Sequence, residues 1–300
     1  MTTQLPAKIG FIGLGNMGRP MAANLARKGG KLVVRDADAS RQAGFVQEFG
    51  SEDGGSAKAF AEAEVVVTML PNGRIVRQAL IESGIADALP RGSLIIDTSS
   101  AEPLLTRELA QDLADRGIGV VDAPVSGGMP KAIDGTLSIM LGADDDALAE
   151  RAITVLSQMS ARIFRTGALG TGHAMKALNN YVLGAGFVAA AEAYVVGEKF
   201  GLDPKLMVDV LNASSGRNVS TEAVFPSEVV TRRFRANFTF GLISKDVGIA
   251  AELADRLSIE TPLLDEVFRA LSEGGKELGM GADYSELVRI FERRADITHG

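Results

Sequence analysis

The chain contains no cysteine, so disulfides and thiolate metal sites are excluded at the outset. Histidine is almost as scarce. His173 and His299 are the only two, and they lie too far apart in sequence to suggest a shared metal site. Basic charge is also in short supply: 31 Lys and Arg stand against 38 Asp and Glu, for a net charge of −7. Before residue 166 there are 17 basic and 20 acidic residues, and after it 14 and 18. Neither half builds a basic field, so nucleic acid is not an expected partner, and a small anionic ligand needs local donors. The N-terminus, MTTQLPAKIGFIG, lacks the basic-then-apolar pattern of a signal peptide. The run Tyr181–Gly197 resembles a membrane span in composition. It is 17 residues long, carries Glu192 and has polar flanks, which suits a buried helix of a soluble protein better. The expected setting is a reducing cytoplasm, with no membrane partner.

What is present points to an ordinary α/β protein. Apolar residues make up 46% of the chain, enough for a sizeable core, and 34 glycines punctuate it. The first half alternates short β-branched runs with helical stretches. Lys8–Gly13, Lys31–Arg35, Val65–Met69, Leu94–Asp97, Gly119–Asp122 and Ser138–Leu141 read as strands. They are continuously apolar, so both faces are covered, and the pattern predicts a doubly wound parallel sheet. From about Thr166 no strand is evident. Helices are expected over 172–200, 204–212, 221–232, 242–257, 261–274 and 285–292. This gives an α/β Rossmann domain over 1–165 and an all-helical domain over 166–300, entered by a long helix. That helix is apolar nearly all round, so it needs cover from the first domain or from a second subunit.

GFIGLGNMGRPMAANL contains G-x-G-x-x-G as Gly13, Gly15 and Gly18, after a strand and at the start of a helix. In that context Gly13 allows the tight turn, Gly15 admits a pyrophosphate to the backbone and Gly18 lets the helix pack on the strand. The helix N-terminus then faces the phosphates with unpaired N–H groups. Asp36 ends the second strand, 18 residues past Gly18. A carboxylate there accepts hydrogen bonds from the adenosine ribose and repels a 2′-phosphate, which predicts NAD over NADP. Arg35, beside it, is the reservation, since it can turn to a phosphate. The strand ends MLPN (Met69–Asn72) and DTSSAEP (Asp97–Pro103) point to the same crevice. Hydroxyls of Thr98, Ser99 and Ser100 there suit either the nicotinamide side of a cofactor or helix capping.

DAPVSGG, Asp122–Gly128, follows the fifth strand. Ser126, Gly127 and Gly128 can form a nest of N–H groups with one added hydroxyl, which suits a carboxylate in a protein without a basic patch. GTGHAMKALNN, Gly170–Asn180, sets Lys176 and Asn180 one turn apart on the long helix. A lysine near a cationic nicotinamide and away from water loses its proton more readily, and so can exchange one near neutral pH. Asn180 supplies an amide to orient a substrate hydroxyl. His173 reads as a first-turn helix residue rather than a catalyst.

Five segments, GFIGLGNMGRPMAANL, MLPN, DAPVSGG, GTGHAMKALNN and SKDVGIA, in this order and spacing, resemble the β-hydroxyacid dehydrogenases over nearly the whole chain. That family includes 3-hydroxyisobutyrate dehydrogenases, tartronate semialdehyde reductases and glyoxylate/succinic semialdehyde reductases. The stretch GGMPKAIDGTLSIMLG is especially similar to the bacterial tartronate semialdehyde reductases. The resemblance implies a Rossmann domain, a helical domain, assembly as a dimer or tetramer, and a small carboxylate substrate. It aligns Lys176 with the catalytic lysine, and Ser126 and Asn180 with substrate-binding positions. Lys245 would reach cofactor or substrate. Leu14, Asn16, Met17, Leu70 and Pro71 join the glycines and Asp36 in the cofactor-binding set. Ser100 falls where the family usually has threonine.

The implied reaction is reversible hydride transfer between NAD and the C3 hydroxyl of a short 3-hydroxy acid, with Lys176 as general acid and base. Competing readings are an NADP-dependent glyoxylate/succinic semialdehyde reductase type and a non-catalytic nucleotide-binding protein on the same fold. A non-catalytic protein would be expected to have lost the lysine or the glycine nest. The loop Ser214–Pro226 ties to no one substrate, and Arg217 within it reads equally as a grip on a second acidic group or as an exposed side chain.

Overall fold

The structure, a computed structural model, describes residues 4–299. Cα packing divides the chain into two units, the first ending at Lys176 and the second beginning at Ala177. The sequence-based boundary at 165/166 falls inside a strand of the first unit, because residues 160–167 complete its sheet.

The first unit is a nine-stranded sheet. Its strands are β1 (Ile9–Ile12), β2 (Leu32–Arg35), β3 (Glu52–Asp53), β4 (Val65–Thr68), β5 (Leu94–Asp97), β6 (Gly119–Asp122), β7 (Val125–Ser126), β8 (Leu137–Gly142) and β9 (Ser160–Gly167). The order is β3-β2-β1-β4-β5-β6-β8-β7, with β9 paired to β8. From β3 to β6 every pairing is parallel, the Rossmann arrangement. The sheet is not parallel throughout, however. β8 runs antiparallel to β6 and β7, so the expected parallel sheet carries antiparallel pairings at one end. The chain leaves β6 through the short strand β7 and α6, and returns as β8 in the opposite direction.

Alternation along the strands builds two cores. Ile9, Phe11, Val65, Val67, Leu94 and Ile96 join one cluster, whereas Val33, Val66, Ile95 and Val120 join another. Successive side chains point to opposite faces, so two separate clusters mean that both faces are covered. The covering helices are α1 (Gly18–Arg27), α2 (Ala39–Phe49), α3 (Gly73–Arg77), α4 (Ile85–Ala88), α5 (Pro103–Ala114), α6 (Gly128–Asp134) and α7 (Asp146–Leu156). Their starts follow from local chemistry. The Asp38, Asn72 and Asp145 side chains cap α2, α3 and α7, and Pro103 opens α5, where its missing N–H costs nothing.

α8 (Thr171–Phe200) is 30 residues long, and the division between the units falls within it. The second unit continues with α9 (Pro204–Ala213), a π-helical segment Ser220–Val229, α10 (Phe240–Arg256), α11 (Pro262–Leu278) and α12 (Leu287–Arg294). Among the described residues beyond Gly167 there is no strand, only an isolated bridge between Thr239 and Asp283. The helix expected over 221–232 is shorter and wider than predicted. Pro226 lies inside it without an N–H to give, and Arg232 has φ +60°. The core of this unit is aromatic at its centre. Phe187 lies with its ring centroid 4.6 Å from that of Tyr284 and 5.5 Å from that of Phe225. α8 is long and apolar enough to cross a membrane by length and composition, and half of its most apolar stretch is buried within the protein.

Candidate active site

The glycine motif closes as its spacing predicts. Gly13 has φ +99°, and a Cβ there would stand 2.2 Å from the Met69 carbonyl oxygen. A Cβ on Gly18 would stand 1.9 Å from the Gly13 carbonyl oxygen. Both positions therefore demand glycine for the fold itself. Gly15 is different: a Cβ there would meet nothing within 4 Å. Folding does not require that glycine, so the open space beside it suits an approaching ligand. Among the described residues the N–H groups of Asn16 and Met17, just before α1, donate to no acceptor. Bare backbone, unpaired donors and a helix N-terminus together fit a pyrophosphate.

Asp36 is anchored toward that loop. Its Oδ2 accepts the Leu14 N–H at 2.5 Å and its Oδ1 accepts the Asp38 N–H at 2.8 Å. Leu14 thus contributes a buried side chain and a hinge to Asp36, and its N–H is committed there. Each carboxylate oxygen keeps a lone pair for a ribose hydroxyl. Leu70 is tied by its N–H to Ser99 Oγ at 2.9 Å, with Pro71 exposed beside it. Thr98 and Ser99 are buried, and Thr98 Oγ1 donates to the Thr68 carbonyl at 2.6 Å. These two hydroxyls brace the strand ends and do not cap α5, whose N-cap is Glu102. Ser100, next along, is half-buried.

Strand register sets a polar row along the carboxyl end of the sheet. Thr68, Asp97 and Asp122 are direct neighbours on β4, β5 and β6. Both carboxylates are buried and both accept hydrogen bonds. Asp97 Oδ1 accepts from Thr68 Oγ1 at 2.8 Å and from the Ser99 N–H at 3.1 Å. Asp122 Oδ1 accepts the Gly170 N–H and its Oδ2 accepts the His173 N–H, each at 2.7 Å. His173 is in the first turn of α8, buried, with Nδ1 2.8 Å from Thr106 Oγ1. Lys176 follows on the same helix and is half-buried. Ser126 is half-buried, and Gly127 and Gly128 are exposed with φ +134° and +68°. Their N–H groups have no acceptor among the described residues, which leaves a nest open to an anion.

In the second unit, Asn180 and Lys245 converge on a residue that sequence reasoning missed. Asn180 Nδ2 donates to Asp246 Oδ2 at 2.5 Å, and Lys245 Nζ lies 2.7 Å from Asp246 Oδ1. Asn179 Nδ2 donates to Asn180 Oδ1 at 3.1 Å. The Asn180 amide is therefore held by Asp246, with one N–H left to offer. Asp246 has a sequence signal: a carboxylate within the apolar face made by Ile243, Val247 and Ala250. Arg217 is exposed and paired with Glu222. Sequence distance also hid a cluster of Glu198, Glu292 and His299, whose ligand atoms lie within 4.8 Å of one another. Glu292 there accepts from both terminal guanidinium nitrogens of Arg232.

A parallel β3-to-β6 sheet with a glycine-rich turn after β1 and an acid just past β2 has the form of a dinucleotide-binding Rossmann domain. Residues 8–167 match the NAD-binding domain of 6-phosphogluconate dehydrogenase, and residues 170–291 match the NAD-binding domain of NADP-dependent 3-hydroxyisobutyrate dehydrogenase. The chain is 36% identical to 2-(hydroxymethyl)glutarate dehydrogenase of Eubacterium barkeri, covering 97% of each. It is 37% identical to 3-hydroxyisobutyrate dehydrogenase of Pseudomonas aeruginosa, over 94% of this chain and 98% of the relative. Among solved structures, Mycobacterium tuberculosis 3-hydroxyisobutyrate dehydrogenase with L-serine superposes with a TM-score of 0.88 at 32% identity, covering 95% and 99% of the two chains. The chain belongs to the 3-hydroxyisobutyrate dehydrogenase, or β-hydroxyacid dehydrogenase, family, and is an NAD(P)-dependent oxidoreductase acting on CH–OH donors.

Proposed function

We propose that the protein interconverts a short 3-hydroxy acid and its semialdehyde with NAD as the preferred cofactor and Lys176 as general acid and base. The observation that carries this reading is the attachment of α8 to the carboxyl end of β6. The amine stands on turns bonded to the sheet edge where the glycine turn also lies. The compounds named for the relatives support the substrate class. 3-Hydroxyisobutyrate, 2-(hydroxymethyl)glutarate and L-serine all carry a primary hydroxyl on the carbon β to a carboxylate. Asp36 supports NAD, because a carboxylate fixed beside the first glycine repels a 2′-phosphate.

Bound NAD supplies the hydride acceptor. Ser126 and the Gly127 and Gly128 N–H groups bind the substrate carboxylate, fixing the distance from it to C3. Asn180, held by Asp246, offers its remaining N–H to the reacting oxygen. Neutral Lys176 accepts the C3 hydroxyl proton in oxidation and returns one to the developing alkoxide in reduction. The family resemblance gives Lys245, paired with Asp246 within the second unit, a contact to cofactor or substrate. We further infer a cytoplasmic homodimer or homotetramer with no membrane partner. Val182, Val196 and Phe200 on α8 are each more than two-thirds exposed in the single chain, which leaves apolar surface for a second copy.

The test is NADH and NADPH oxidation with a panel of semialdehydes: tartronate, methylmalonate and succinic. The expected result is a higher kcat/KM with NADH, and a kcat for Lys176→Ala about 10²–10⁴-fold lower with NADH affinity retained. Preference for NADPH removes the role given to Asp36, and full activity in the lysine variant removes Lys176 from the chemistry.

A further inference from the structure

We infer that Asp122 is a positioning residue for the proposed catalytic amine. Its carboxylate caps α8 from outside the helix and fixes the depth at which Lys176 is presented. The inference rests on the reading of Lys176 given above.

Asp122 is the last residue of β6 and is fully buried. Its side chain does not cap its own segment. It reaches the start of α8, where Oδ1 takes the N–H of Gly170, 48 residues on, and Oδ2 takes the N–H of His173, 51 residues on. The first N–H groups of a helix have no partner within it, and a carboxylate is the acceptor that best matches their partial positive charge. Both bonds are 2.7 Å, within the short range of charge-assisted contacts.

The surrounding backbone is cut to admit this carboxylate. A Cβ on Gly142, its neighbour on β8, would stand 2.3 Å from Oδ1. A Cβ on Gly172 would stand 2.8 Å from Oδ2 and 2.2 Å from the Met140 carbonyl oxygen. Gly170 takes φ +89° to turn its N–H inward. Three glycines thus serve one side chain, more than a surface cap would need. His173 is locked a second time, through its ring to Thr106.

The consequence for chemistry comes from helix geometry. Lys176 is three residues past His173, close to one turn, so its Cα moves with the bond that Asp122 makes. Four residues beyond Asp122, at the end of the next strand β7, stands Ser126 of the anion nest. The residue that ends β6 therefore holds, through its carboxylate, the helix that carries the amine, and its own chain leads on to the carboxylate-binding turn. Asp122 touches neither reactant in this account and acts through the backbone of α8.

The experiment compares Asp122→Asn, Asp122→Ser and Lys176→Ala as full-length proteins. The asparagine variant keeps the shape but turns one acceptor into a donor facing an N–H. Serine is a shorter, neutral cap that favours folding. We expect NADH affinity, read from the fluorescence of bound NADH, to stay within about twofold, because the glycine turn is untouched. We expect kcat to fall on the order of 10²-fold, the cost of misplacing a reacting group by about 1 Å. The primary isotope effect with 4-deuterated NADH rises in step, since the chemical step becomes slower than release. A folded asparagine or serine variant with unchanged kcat and isotope effect, beside an impaired Lys176→Ala, overturns the positioning role. Equal losses of NADH affinity and kcat, or failure of both variants to fold, assign Asp122 to stability alone and also overturn it. If Lys176→Ala itself is fully active, the catalytic reading of the lysine fails, and that outcome is distinct from the others.

Discussion

Gly15 and Gly18 belong to one motif yet carry different burdens. Gly18 is required by packing, since a methyl group would sit 1.9 Å from a carbonyl oxygen. Gly18→Ala should therefore destabilise the first unit by roughly 2 kcal/mol or more, read as a fall in Tm with or without cofactor. Gly15 meets nothing, and its substitution should leave the Tm of the free protein nearly unchanged. NADH affinity should nevertheless fall by about tenfold or more, because the new methyl occupies the approach to the backbone. Equal NADH affinity in Gly15→Ala would mean that the phosphates bind elsewhere. The motif was legible in sequence because it constrains the backbone, and backbone constraints select residue type directly. Asp122 and Asp246 were not legible as clamps. Their meaning comes from partners 48 and 66 residues away, which no local pattern records.

At the level of elements, legibility followed burial. β1, β2, β4, β5, β6 and β8 are apolar runs and stood out in the sequence. β3 is two exposed acidic residues, and β7 is two residues long, so neither offers a period to read. β9 is eight residues, yet Arg162, Phe164 and Arg165 are exposed along it. It lies beside β8 and shows the charged residues that blunt an edge. The long helix was read correctly in extent, and its exposed apolar positions carry the inference of assembly. If Val196 and Phe200 face a second copy, Val196→Glu with Phe200→Glu should shift the particle to a monomer in analytical ultracentrifugation. An unchanged sedimentation coefficient would place the interface elsewhere.

For the whole molecule, the helical unit sets an alkaline limit. Burial, followed by the charges of Glu198 and Glu292, raises the Tyr194 phenol from 10.0 to about 12. Tyr284 is raised further, by burial and then by Asp283. Both groups hold their proton more tightly when folded. Their contribution to stability is complete below about pH 10 and is lost as pH climbs through the folded values. The phenolate absorbance of Tyr194 and Tyr284 should appear late and together with loss of helical circular dichroism. A single smooth ionisation near pH 10 with the fold intact would contradict the packing described for Tyr194 and Tyr284.

The boundary between the units has no loop in it, and this bears on any attempt to splice relatives together. A crossover at residue 176 or 177 cuts through a continuous α-helix, so the joint has a phase as well as a position. One residue too many or too few turns everything beyond the seam by about 100° and advances it about 1.5 Å. Asn180 would then leave the side of the rod that it shares with Lys176, although every residue of both parents was retained. Working hybrids should accordingly be confined to joints that conserve the residue count between these two positions, whatever the similarity of the sequences on either side.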